Sequence, residues 1–257
     1  MELGIKGLRA LVTGGSKGLG LATATLLASE GATVTINARD AARLKVSAGS
    51  IGGKFVAGDL HSADAPAAVI AESVRLMGGL DLLVCNAGGP PAGPFESFGE
   101  EAWQNAIDLS FMSAVRLVKA ALPFLRKSKS ASVLFIASYS VKQPVPGLVL
   151  SNAVRAATVG LSKSLALELG AEGIRFNAIL PGWTETERVG ELLGARAKAN
   201  GTTVEAEMAK QMNDCPLGRM ATPQEFANAA VFLLSPAASY ITGVALTVDG
   251  GMYKGTL

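Results

Sequence analysis

Thr13-Gly-Gly-Ser-Lys-Gly-Leu-Gly20 decides how this 257-residue chain folds. Ahead of it lies an apolar stretch of strand character, 10–13, and behind it a segment of helical period, 18–30. A strand that turns on glycines into a helix aims backbone N–H groups and the positive helix end at one point, where a phosphate is stabilised. Glycine suits the turn because it accepts backbone angles other residues resist and lets the chain approach a ligand closely. The stretch therefore predicts a bound dinucleotide, with Gly14, Ser16, Lys17, Gly18, Leu19 and Gly20 along its pyrophosphate.

Outward from the loop, strand-type runs recur at 33–38, 54–57, 80–85, 132–137, 175–180 and 244–248. Helical patterns lie between them near 62–77, 101–127, 148–170 and 222–235. The strands lack apolar/polar alternation, as expected when both faces of a sheet are covered. Regular strand–helix alternation predicts an α/β fold: one doubly wound Rossmann domain over 1–257, with a seven-stranded parallel sheet. One segment breaks the rhythm. Residues 185–215 are polar, carry Gly190, Gly194 and Gly201, and show no strand pattern, which predicts one or two helices inserted as a substrate lid. The lid begins at the carboxyl end of a strand, the edge where open α/β sheets bind ligands.

Composition removes several classes of function. Lysine plus arginine exceed acids by a net charge of only +2, interspersed along the chain, so nothing favours nucleic acid. The single histidine, His61, argues against a histidine-based metal site, and the two cysteines, Cys85 and Cys215, against a disulfide framework. No apolar run approaches the roughly 20 residues of a membrane span, and the first ten residues resemble neither a signal nor a transit peptide. A cytoplasmic protein without membrane or nucleic-acid partners is expected.

The glycine loop, Cys85-Asn-Ala-Gly88, Ser138, Pro181-Gly182 and Val248-Asp-Gly-Gly251 resemble, in order and spacing, the short-chain dehydrogenase/reductase family from end to end. The resemblance implies a nicotinamide cofactor and a small-molecule substrate. Asp59-Leu60 would meet the adenine, Asn86-Ala87-Gly88 would let the backbone pass close to the cofactor, and Thr186, after Pro181-Gly182, would hold the carboxamide. At the end of the second strand an acid would select NAD(H), but the chain reads Ala38-Arg39-Asp40. Arg39 and Lys17 are charge-assisted donors suited to a 2′-phosphate, so NADP(H) is expected over NAD(H). The family further implies that the helices at 101–127 and 148–170 form subunit contacts, through apolar positions such as Val115, Leu117, Val118, Leu161 and Leu165, in a homo-oligomer with a tetramer favoured.

The chemistry is where the chain departs. The family pairs a serine with Tyr-x-x-x-Lys thirteen residues later, and counting from Ser138 gives Ser151-Asn-Ala-Val-Arg155. Ser138 matches; Ser151 stands for the tyrosine and Arg155 for the lysine. The family's asparagine falls on Ser110, with Asp108 as the alternative two residues away. A serine hydroxyl is shorter and less acidic than a phenol near pKa 10. Arg155 keeps the charge and can still bond the cofactor's ribose hydroxyls, but it is no geometric copy of an ammonium. Nearby, Tyr139 and Lys142 offer a loop tyrosine and a lysine that could reach the vacated space as proton donor or anion anchor. His61 reads as surface, Trp183 as a wall of the nicotinamide pocket and Cys85 as packing. The expected function is a divergent NADP(H)-dependent oxidoreductase acting on a carbonyl or secondary alcohol, a 3-oxoacyl or small hydroxy compound. A non-catalytic NADP(H)-binding sensor or regulatory homologue, and non-hydride chemistry in the same pocket, remain open.

Overall fold

The computed structural model describes residues 2–256. Seven strands form one sheet: β1 Arg9–Thr13, β2 Thr33–Ala38, β3 Lys54–Ala57, β4 Leu82–Cys85, β5 Ser132–Ile136, β6 Arg175–Pro181 and β7 Ala245–Val248. Their order is β3-β2-β1-β4-β5-β6-β7, with every pairing parallel. The order reverses between β1 and β4, which opens a crevice at their carboxyl ends.

Both faces are covered, which explains the continuous apolar runs. Ala10, Val12, Val34, Ile36, Leu82 and Val84 point to one layer, with α1 Gly18–Ser29 and α9 Pro223–Leu234 packed on it. Leu11, Leu83, Cys85, Val133, Phe135 and Phe176 point to the other, beneath α3 Ala65–Met77, α5 Ser113–Leu125 and α6 Val149–Leu169.

Two elements differ from the sequence reading. A helix, α2 Ala41–Ser50, occupies a stretch without a clear apolar period, and the Asp40 carboxylate starts it by accepting from Arg43 N at 3.0 Å. That cap satisfies an otherwise unpaired first-turn N–H, which compensates for a weak apolar face. The expected single helix at 101–127 is instead α4 Glu100–Ile107, a π-turn at Asp108–Met112 and α5. A π-turn inserts one extra residue per turn and re-aims the side chains around it. The 185–215 segment forms α7 Glu187–Asn200 and α8 Val204–Met212. Among the described residues no helix is long and apolar enough to cross a membrane.

At the amino ends of the strands, opposite the crevice, Asp81 is 4% exposed and binds three elements together. It accepts from Arg9 N at 2.9 Å, Arg9 Nε at 2.7 Å, Arg9 Nη2 at 2.9 Å and Ser128 Oγ at 2.6 Å. Burial alone would raise its pKa, but the donors from Arg9 and Ser128 hold it below the usual carboxylate value. Asp81→Ala should cost about 2 kcal/mol at neutral pH, because the half-buried Arg9 and Ser128 lose a charged hydrogen-bond acceptor. The depressed pKa means this contribution is complete above about pH 4 and fades as pH falls through the folded-state value. Urea denaturation of parent and variant should therefore show a gap at pH 7 that narrows in acid; an equal gap at pH 7 and pH 2.5 would contradict this role.

Candidate active site

Thr13 closes the base of the crevice. Its hydroxyl donates toward Val84 O at 3.1 Å and Asn86 O at 2.8 Å and accepts from Asn86 N at 2.9 Å, joining the ends of β1 and β4. Asn86 returns the tie through Nδ2 to Gly14 O at 3.3 Å. Gly14 has φ +57°, and a Cβ there would lie 2.6 Å from Asn86 Nδ2. A Cβ on Gly20 would lie 2.2 Å from Gly14 O, so the helix can seat on the turn only with glycine at that position. Lys17 precedes α1 with extended backbone and no side-chain cap, and the first turn of α1 carries no acid, leaving its N–H groups directed at the crevice. Ser16 is fixed from behind, its carbonyl accepting from Ser47 Oγ of α2 at 2.9 Å, and Leu19 packs on the core.

The two cations expected to take a 2′-phosphate differ in their partners. Arg39 is exposed and makes no ion pair among the described residues. Arg43 lies with Lys17 instead, both paired with Glu187 at the start of α7, the lysine at 2.9 Å. Asp40 is committed to capping α2 and forms no pair with Arg39. Arg43 was not anticipated; recognising Asp40 as a helix cap would have put it in the first turn, on the loop's side. Asp59 is exposed and accepts from His61 N at 3.1 Å, while Leu60 is buried. His61 Nε2 lies 3.1 Å from Asn105 Oδ1 at the surface.

Across the crevice, Thr186 caps α7 by accepting from Val189 N at 3.3 Å. Its Cγ2 would be 3.6 Å from a Cβ on Gly18, so the start of α7 and the glycine loop face each other over the start of α1. Pro181 ends β6, and Gly182 has its own steric reason: a Cβ would meet Asp249 Cα at 2.7 Å. Gly88 has open space around it. At Gly89, by contrast, a Cβ would sit 3.5 Å from Arg188 Nη2 and 4.0 Å from Arg155 Nη2. Arg188 was another omission. Its place two residues after the Thr186 cap is the signal that locates it.

Beyond β5 the structure links Ser151 and Arg155 to the end of the strand, one residue before Ser138. Ser138 caps a short turn, its Oγ accepting from Ser140 N at 3.2 Å. One turn apart on α6, Arg155 Nε donates to Ser151 Oγ at 3.2 Å. Arg155 Nη1 donates to Ile136 O at 3.0 Å and Ala137 O at 3.4 Å, clasping the end of β5. Burial pushes its pKa down to about 10, and the charge of Arg188 adds to the effect. Ser110 is buried on the π-turn with an unpartnered Oγ, and with Arg155, Thr13, Asn86 and Ala87 it lines one cavity. The alternative, Asp108, is occupied by Gln104 Nε2 at 2.8 Å and Arg116 Nη2 at 3.0 Å.

Lys142 is not brought into this group. Its ammonium lies 5.1 Å from the centroid of the Tyr253 ring, a cation–π contact that directs it to the C-terminal segment. Tyr139 is buried with Trp183, Leu193, Cys215 and Met252 against α7, and burial pushes its phenol pKa up. Trp183 carries Arg196 over its ring at 5.3 Å. Cys85 is buried and its thiol pKa is raised by desolvation, in keeping with packing. Among the described residues no group of His, Cys, Asp and Glu is arranged to hold a metal ion.

A family model described as enoyl-(acyl carrier protein) reductase matches residues 14–253. The chain belongs to the short-chain dehydrogenase/reductase family. It is 32% identical over 253 residues to the 3-oxoacyl-[acyl-carrier-protein] reductase FabG of Vibrio cholerae, covering 98% of this chain and 99% of that protein. Among solved structures it resembles L-sorbose reductase of Gluconobacter frateurii complexed with NADPH and L-sorbose, with TM-score 0.93, 34% identity, and coverage of 99% and 100%. An NADPH-bound short-chain oxidoreductase of Pseudomonas aeruginosa PAO1, described as containing an atypical catalytic center, gives TM-score 0.87, 34% identity, and coverage of 98% and 100%.

The steric account of the loop predicts opposite outcomes for two similar substitutions. Gly20→Ala must displace the Gly14 carbonyl and should destabilise the protein by roughly 1–3 kcal/mol. Gly88→Ala meets nothing within 4 Å and should stay within about 0.5 kcal/mol of the parent. Chemical denaturation of both variants distinguishes them, and equal losses would remove the close-approach argument.

Proposed function

We propose that the chain is an NADP(H)-dependent oxidoreductase that interconverts a carbonyl and a secondary alcohol, using a Ser151–Arg155 pair where its family uses tyrosine and lysine. The observation that carries this reading is the Arg155 guanidinium, bonded at once to Ser151 Oγ and to the end of β5 beside Ser138. The cofactor fits the residues present. The uncapped first turn of α1 and Gly14, Gly18 and Gly20 would take the pyrophosphate; Lys17, Arg39 and Arg43 would take the 2′-phosphate; and Asp59 would take the adenine end. Asn86, Ala87 and Thr186 border the same crevice. Bound there, NADPH would supply hydride to the carbonyl carbon.

The protein's part is to stabilise the oxygen that becomes negative. Ser138 Oγ accepts from Ser140 N and Ser151 Oγ accepts from Arg155 Nε, so each hydroxyl keeps its own proton free to donate. Two such donors beside a fixed positive charge form an electrostatic cradle for developing oxyanion character. Arg155 also makes Ser151 a better donor by withdrawing charge from its oxygen. The Ser110 hydroxyl, buried and unpartnered, offers a place for a water that would pass a proton from solvent to the serine donors as the alkoxide takes one up. What the pair lacks is a phenol whose pKa a neighbour can tune toward neutrality, so turnover should be slow. Substrates of the 3-oxoacyl or small polyol type are the classes suggested by the names of the relatives. We infer a homo-oligomer, with a tetramer favoured, by analogy with the family; Leu117 and Val118 serve the core, so any contact would rest on outer residues such as Leu167, which is 75% exposed.

Cofactor choice gives one test. Glu187 competes with a 2′-phosphate for Lys17 and Arg43. Glu187→Gln should tighten NADPH several-fold and leave NADH nearly unchanged, and Arg43→Ala should weaken NADPH by roughly ten-fold, one charge-assisted contact being about 1.5–3 kcal/mol before discounting for exposure. Equal calorimetric affinities of the parent for NADPH and NADH would overturn the assignment. The chemistry gives another. Ser151→Tyr with Arg155→Lys should accelerate reduction of an activated ketone or 3-oxo ester by at least about 10²-fold, the low end of a placed general acid. A parent that is already fast and is slowed by the double change would show that Ser151 and Arg155 run a mechanism of their own.

A further inference from the structure

Two guanidinium groups from different elements converge on the loop after β4. Arg155 of α6 and Arg188 of α7 both reach Gly89, with Nη2 atoms 4.0 and 3.5 Å from the point a Cβ would occupy. Arg155 uses Nε and Nη1 on Ser151 and the end of β5, and its Nη2 has no hydrogen bond among the described residues. Arg188 spends Nη2 on Pro90 O at 3.0 Å and leans Nη1 toward Glu191 at 3.6 Å. Glu191 is shared with Lys17 at 3.9 Å, so it does not neutralise both arginines. Like charges held this close are unfavourable unless an anion completes the site.

The cofactor does not account for both charges. Its pyrophosphate belongs at the start of α1, where Gly18 faces Thr186; Arg188 leans Nη1 toward Glu191 but sends Nη2 to Pro90 O, on the Gly89 side where Arg155 also arrives. Ribose hydroxyls near Arg155 call for hydrogen-bond donors, not for a second full charge. Arg155 ties this side of the crevice to Ser151 and to the end of β5, which leads into Ser138. We propose that Arg155 and Arg188 together bind a carboxylate carried by the substrate, so that the preferred substrates are oxo acids or hydroxy acids rather than neutral ketones. Planar forks suit carboxylate recognition, and the lid helix that contributes Arg188 would be drawn onto the substrate by the same contact.

The inference rests on the oxidoreductase reading for what counts as substrate, but binding tests it without turnover. Calorimetry on the NADP⁺-saturated protein would compare pyruvate, acetoacetate and levulinate with their methyl esters. At least one acid should bind ten-fold or more tightly than its ester, with the difference shrinking at high salt, and Arg188→Gln should abolish it while leaving NADP⁺ affinity within about two-fold. Arg188 is half-exposed on a helix surface, so the variant should fold. The proposal is overturned by esters that bind as well as the acids in all three pairs, or by a preference that survives Arg188→Gln. It is equally overturned if Arg188→Gln releases NADP⁺ instead of the acid. Acid preference without NADPH oxidation would sink the oxidoreductase reading and leave the carboxylate site standing.

Discussion

The hydroxyl of Thr13 holds together the place where everything else happens. Strands β1 and β4 part at their carboxyl ends because the connections beyond them run to opposite sides of the sheet. Thr13 Oγ1 spans that parting, bonded to the carbonyls of Val84 and Asn86 and to Asn86 N. The tie fixes Asn86, Asn86 fixes the Gly14 carbonyl, and Gly20 lets α1 close onto it. A loop assembled this way presents its N–H groups without adjustment when an anion arrives, which is the energetic meaning of a preformed site. Asp81 performs the matching task at the opposite edge, so β1, β4 and β5 are pinned at both ends.

Within that frame Arg155 does two things that a lysine would do less well. A guanidinium has several donors in a plane, enough to bond Ser151 and two carbonyls of β5 and still leave one edge open. It stays protonated even though burial and Arg188 bring its pKa down to about 10. The arginine is thus a positioning group for β5, and in the proposed reaction it would supply positive charge beside the reacting oxygen. Its partner, Ser151, gains polarisation from it but lacks the reach and acidity of a phenol. The site is therefore better equipped to stabilise an oxyanion than to deliver a proton.

Most of the frame was legible in the sequence because it rests on local signals. The glycine loop, the apolar strand runs and the order of Asn86, Ser138 and Pro181-Gly182 fixed sheet and crevice, with strand ends off by a residue or two. Helix α2 escaped because its start depends on the Asp40 cap more than on apolar period, and with it Arg43 was missed. The π-turn at Ser110 escaped because its apolar pattern continues through the bulge. Lys142 was drawn toward the catalytic edge by its nearness to Ser138 in sequence, but the ring of Tyr253, far along the chain, determines where its ammonium rests. Arg188 and Glu187 lie on a segment readable only as a polar insertion, and their meaning comes from what α7 faces in space: Lys17, Arg43, Pro90 and Arg155.

Whether Ser151 and Arg155 support hydride transfer is decided most directly by isotope. The parent protein would be incubated with NADPH deuterated at the transferable C4 position and a set of oxo acids and neutral ketones, and the products read by mass spectrometry. Deuterium on the carbinol carbon of at least one product, formed only with protein present, is the result this account predicts. Tight NADPH binding with no deuterium transferred to any substrate would contradict it.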